Sequence, residues 1–133
     1  MTLPKCWWPL GVFLAVGCGE STQDRDRKKL ISINNMKQIG LALLMDHDAN
    51  NFFPGKNENG KPRNLSWRVS ILPYLEQKAL FDQFKQDEPW DGPHNQVLLA
   101  QMPRVFLDPR FQQAGATETY YQGFGGAGGI LGA

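Results

Sequence analysis

Residues 24–50 read DRDRKKLISINNMKQIGLALLMDHDAN, and this stretch decides the fold. Leu30, Ile33, Met36 or Lys37, Gly40, Leu41, Leu44 and His47 or Asp48 recur at helical spacing. Ile39 and Leu43 widen that apolar face. Asp24 and Asp26 stand where acids favour a helix start, and Asn50-Asn51 is a stop. The spacing predicts one helix over Asp24–Asn50, roughly 35–40 Å long at about 1.5 Å per residue. That is long for a small domain, so part of it must project or lie across the rest.

Upstream, Met1–Cys18 has the features of an export signal. Lys5 supplies a charge, an apolar run spans Trp7 to Val16, and Leu14-Ala15-Val16-Gly17-Cys18 follows. The run is short for a finished membrane span. Small residues before a cysteine fit bacterial lipoprotein processing, in which the Cys18 thiol is acylated and becomes the new N-terminus. A plain secretory signal or an uncleaved anchor is the alternative. Removing residues 1–17 leaves about 116 of 133, enough for one small domain. The expected organisation is a lipoprotein-type signal peptide at 1–17, a polar tether at 18–28, a domain at 29–124 and a Gly-rich tail at 125–133.

The formal charge of +1 falls to about zero once Lys5 is removed, which argues against nucleic acid as a partner. The run Arg25, Arg27, Lys28, Lys29 is interleaved with Asp24 and Asp26. It reads as a solvated helix start near a membrane, with contact to anionic head groups as the other reading. Both cysteines, Cys6 and Cys18, lie in the signal region, so the mature domain must hold together by packing. Eight Phe, four Trp and three Tyr supply area for that.

Downstream, Phe52-Phe53-Pro54-Gly55 closes the helix and residues 56–64 form a polar loop. Residues 65–72 alternate like a strand at Leu65, Trp67, Val69 and Ile71. They also repeat like a helix through Trp67, Ile71, Tyr74 and Leu75, with Ser66 as N-cap, and helix is the favoured reading. A firmer helix is expected from Tyr74 to Phe84. His94–Met102 reads as a short helix with Val97, Leu98 and Met102 inward, ended by Pro103. Val105-Phe106-Leu107 and Thr117–Phe124 have strand composition.

Several co-linear runs carry a family resemblance. They are Asn34–Leu43, Phe53-Pro54, Ser66–Val69, Leu72–Gln77, Leu80–Phe84, Asp87–Asn95, Met102-Pro103 and Thr119–Tyr121. Together they resemble the planctomycete domain-of-unknown-function family 1559, over roughly Lys29–Gly129. The resemblance implies an α+β, pilin-like fold: a long N-terminal helix packed on a small antiparallel sheet with extra short helices. It implies no enzyme activity and no established ligand. Two features depart from the family pattern. A lipoprotein-like signal replaces the hydrophobic prepilin start, and no His follows His94, so the C-terminal H-x9-DG element has no counterpart. A short paralogue or truncated gene product is the expectation.

No catalytic set is expected. His47 and His94, with Asp87, Glu88 and Asp91, only loosely suggest a metal site or carboxylate chemistry, and helix-end and turn roles explain them better. Asn57–Gly60 lacks the later acid of a calcium loop, since residue 68 is Arg. Ser66 and Ser70 lie outside a nucleophile-elbow context. No cofactor and no metal are expected. The expected role is a non-enzymatic, envelope-anchored structural or protein-interaction protein, with the membrane as one partner through the lipid and an envelope protein as the other. The alternative is a solute- or glycan-binding lipoprotein with an aromatic cleft. Trp67, Tyr74 and Trp90 are the candidate partner contacts, Trp90 foremost because prolines flank its turn.

Overall fold

The structure, a computed structural model, describes residues 21–54, 64–111 and 119–123. The expected signal with Cys18, the loop at Asn57–Gly60 and the Gly-rich tail at 125–133 lie outside the described residues.

Helix α1 spans Thr22–Asn50, about 43 Å at the usual rise. Ser21 caps its start: the Asp24 N–H donates to Ser21 Oγ at 3.2 Å. Asn51 ends it in the left-handed conformation, φ 62°, and its N–H donates to the His47 carbonyl at 2.7 Å. The His47 ring then stacks on Phe53 at 4.5 Å, turning the chain off the helix. Helical geometry already covers 22–28, the stretch expected as tether.

The remainder is a series of short turns laid against α1. Helix α2 is Trp67–Ser70, started by Ser66, whose Oγ accepts from the Arg68 N–H at 3.4 Å. A 3-10 turn at Leu72–Leu75 follows, with Pro73 in its first turn, where a missing N–H costs nothing. Glu76 at φ 60° stops that turn, so the helix expected to run from Tyr74 to Phe84 shrinks to α3, Lys78–Phe81. Helix α4, Asn95–Leu98, passes into a 3-10 turn at Leu99–Gln101, and Pro103 follows. Here Leu98 points inward as expected, Met102 is half-buried and Val97 is exposed.

The expected antiparallel sheet is overturned: the described residues contain no strand. The long N-terminal helix is present, but what packs on it is helical. Val105-Phe106-Leu107 was a strand candidate, and Arg104–Phe106 is a 3-10 turn instead. At Thr119–Tyr121, side chains occupy the backbone groups a ladder would use. Thr119 Oγ1 donates to the Phe106 carbonyl at 2.5 Å and accepts the Tyr121 N–H at 3.2 Å. The Arg68 guanidinium donates to the Tyr121 carbonyl. Those bonds take the Phe106 carbonyl and both backbone groups of Tyr121, which a ladder at these positions would need.

The core joins Ile39 and Ala42 of α1 to Leu65, Val69, Ile71, Leu72, Leu80, Phe84, Leu98 and Phe106. Trp67 meets Phe106 edge to face at 6.1 Å. The inward face of α1 includes Ile39 and Leu43, as the periodicity suggests, but not the other large apolar residues of the expected row. Ser32, Ile39, Ala42 and Asp46 are buried and Asn35 and Leu43 half-buried, whereas Leu30, Ile33, Leu41 and Leu44 face outward. Around Ile39 and Leu43, small or hydrogen-bonding groups line the inner stripe, where the turns at Leu72–Leu75 and Arg104–Phe106 pack directly on it.

Candidate functional site

The expected contact residues lie in different settings. Trp67 is half-buried against the core with the Arg68 guanidinium 4.5 Å from its ring centroid. Tyr74 is half-buried against the same core. Trp90 is 50% exposed, and its backbone N–H donates to the Asn64 carbonyl at 3.3 Å. The structure thus divides the trio into two packing aromatics and one aromatic that offers a face to solvent.

Trp90 sits on a loop organised by Asn95, which is fully buried. Asn95 Nδ2 donates to the carbonyls of Lys85 and Glu88 at 3.0 Å and of Pro89 at 3.2 Å, and Oδ1 accepts the Lys85 N–H at 3.0 Å. One side-chain amide therefore satisfies four backbone groups of a segment without regular structure. Glu88 Oε1 accepts the His94 N–H at 2.8 Å, and the His94 ring bonds the Gln83 carbonyl at 3.0 Å through Nε2. A Cβ on Gly92 would lie 2.4 Å from Glu88 Cγ, so the loop needs glycine there. His94 and Glu88 thus hold the loop, while Asp87 and Asp91 are exposed. Among the described residues no three His, Cys, Asp or Glu side chains gather as metal ligands do.

A second polar centre has no counterpart among the sequence expectations. Asp108 is buried and accepts from Ser32 Oγ at 3.1 Å, and Ser32 Oγ and Tyr121 Oη lie 2.9 Å apart. Arg110 closes over the same carboxylate, Nε and Nη2 donating to it at 3.0 and 2.5 Å, and its backbone N–H joins at 3.0 Å. This Arg110 fork, more than the Ser32 bond, holds the Asp108 carboxyl below its ordinary value despite burial, and Asp108 in turn raises Arg110. Asn35 adds a bond from Nδ2 to the Leu107 carbonyl at 3.1 Å. The group clamps residues 106–110 and 119–121 onto the middle of α1. The Ser32 hydroxyl is buried beneath that clamp, so its chemistry is structural.

Two surfaces remain open. One is the outer stripe of α1, where Leu30 is 67% and Leu41 62% exposed and Ile33, Leu44 and Met45 lie between or beside them. The other is a cavity of about 350 Å³ lined by Arg25, Asp26, Lys28, Lys29, Arg110 and Phe111. No helix among the described residues is long and apolar enough to cross a membrane.

A family model described as a protein of unknown function, DUF1559, matches residues 29–130. The chain belongs to the DUF1559 family. No curated protein and no solved structure matches it. The runs that carry the DUF1559 resemblance have physical roles here. Asp87–Asn95 is the Asn95-centred loop, Ser66–Val69 is the capped start of α2, and Thr119–Tyr121 supplies the hydroxyls of the clamp.

Proposed function

We propose that this DUF1559 member is a non-enzymatic cell-envelope lipoprotein, held to its membrane through an acylated Cys18, whose helical domain serves a structural or protein-interaction role. The observation that carries the interaction reading is the outer stripe of α1. Leu30, Ile33, Leu41 and Leu44, with exposed Lys37 among them, give the side away from the buried row more apolar surface than a monomer needs, and a partner would cover it. Trp90 adds an exposed aromatic to that aliphatic surface as a further contact point. The anchoring reading is supported by the apolar run and the small residues before Cys18. The near-neutral charge of the mature chain speaks for a protein partner over nucleic acid.

Two measurements test the two halves. Mass spectrometry of protein extracted from membranes should find an acylated Cys18 peptide, and an intact Met1 would end the anchoring half. A photo-reactive side chain at Leu41 should give one discrete adduct with an envelope protein, lost in Leu44→Glu. No adduct, together with turnover of a small substrate, would end the interaction half.

A further inference from the structure

We infer that the cationic cavity at the start of α1, together with Phe111 and Tyr120, is a contact surface for an anionic lipid bilayer. The inference rests on the anchoring reading and adds to it how the domain is seated on the membrane. Arg25, Lys28 and Lys29 come from α1 and Arg110 from a segment more than eighty positions away in sequence, and the fold brings them around one opening. Asp26 is the one carboxylate in that lining. Lys28 meets Asp24 at 3.3 Å and Arg110 is committed to Asp108, but Arg25 and Lys29 still outnumber Asp26, so the lining keeps a positive excess.

Beside it stand two exposed aromatics. Phe111 is 55% and Tyr120 59% exposed, their rings 5.1 Å apart, and the Arg110 guanidinium lies 5.2 Å from the Phe111 ring. Cations bordering an exposed aromatic pair match the chemistry of the headgroup region, where phosphates meet the upper acyl chains. Chain length then restricts the occupant. Ser21 is three residues beyond Cys18, and an extended chain spans at most about 3.6 Å per residue. An acyl group on Cys18 therefore holds the start of α1 within roughly 11 Å of the surface, close to the screening length of physiological salt. The first turns of the helix, with Arg25, Lys28 and Lys29, lie at or near the range of the headgroup field.

The test uses the mature acylated protein reconstituted on phosphatidylcholine vesicles, with and without phosphatidylglycerol, and reads amine labelling of each lysine. Phosphatidylglycerol should slow labelling of Lys28 and Lys29 by about fivefold, the factor one interfacial charge contributes. Exposed Lys85 should label at the same rate on both, and high salt should remove the difference. In Arg25→Glu/Phe111→Ser the protection of Lys28 and Lys29 should be lost with Lys85 unchanged. Protein that floats with both vesicles but labels identically at Lys28 and Lys29 overturns the inference and leaves the anchor standing. Protein that carries no acyl group and floats with neither overturns both. Equal protection by inorganic phosphate on neutral vesicles would make the cavity a site for a free anion and also overturns the inference.

Discussion

Ser32 and Asp108, 76 positions apart in sequence, share a buried hydrogen bond of 3.1 Å at the middle of α1. Both sit on the inner side of the domain, and the bond is the deepest part of the clamp that also holds Arg110 and Tyr121. Removing the Asp108 carboxylate strands several donors at once, whereas removing the Ser32 hydroxyl leaves Arg110 in place. Asp108→Ala should cost about 2–3 kcal/mol and Ser32→Ala about 1 kcal/mol, and a double-mutant cycle should return a coupling of about 1 kcal/mol. Urea denaturation of the four proteins measures this, and strict additivity would show that the two side chains do not cooperate.

The same clamp sets an acid dependence. The folded Asp108 carboxyl lies below its ordinary value, so the unfolded chain binds its proton first as pH falls. Its contribution is complete above the ordinary aspartate pKa, about 3.9, and is lost as pH drops through the folded value. Thermal melts between neutral pH and pH 3 should show this loss. Arg110→Gln should make the loss smaller and complete it at higher pH, because the Arg110 hydrogen bond is the largest influence holding the carboxyl down.

Asn95 tests the loop that carries Trp90. Asn95→Ala leaves four backbone groups to find new partners in a buried place and should cost about 3 kcal/mol. Asn95→Asp keeps the shape but aims a carboxylate at three carbonyls. It should be at least as damaging at neutral pH, and partly relieved as the carboxyl protonates. Trp90→Ala, by contrast, should shift stability by no more than about 0.5 kcal/mol. The same denaturation series separates the three.

The two faces of α1 make opposite forecasts. Ile39→Ala and Phe106→Ala should each cost about 3–4 kcal/mol, since both side chains are buried in the shared core. Leu30→Gln, Leu41→Gln and Leu44→Gln should each stay within about 0.5 kcal/mol of the parent. A large loss from an outer-stripe change in the isolated protein would show that the stripe is covered within the chain itself.

How much of this was legible in the sequence differs by element. The end of α1 at Asn50 and the Ser66 cap were readable because local chemistry alone decides them. The inner face of α1 was readable only at Ile39 and Leu43. Apolar residues lie on both sides of that helix, and Ser32, Asn35 and Asp46 on the buried side look like solvent positions until their distant partners are known. The sheet was misread for a related reason. Strand composition at residues 105–107 and 119–121 says nothing of whether Thr119 and Arg68 will take the carbonyls and amides first. Trp90's exposure followed from its proline-flanked turn, while Trp67's packing on Phe106 is a long-range contact that spacing does not disclose. The meeting of Arg110 and Phe111 with the cations of α1 likewise depends on the clamp, which no local pattern announces.

Tyr121 reaches back across 89 positions to grip Ser32. During synthesis that grip can close only after 89 further residues have been added beyond Ser32. Until Tyr121 arrives, Ser32 is held through Asp108 alone, so residues 119–121 are the last of the described clamp to join.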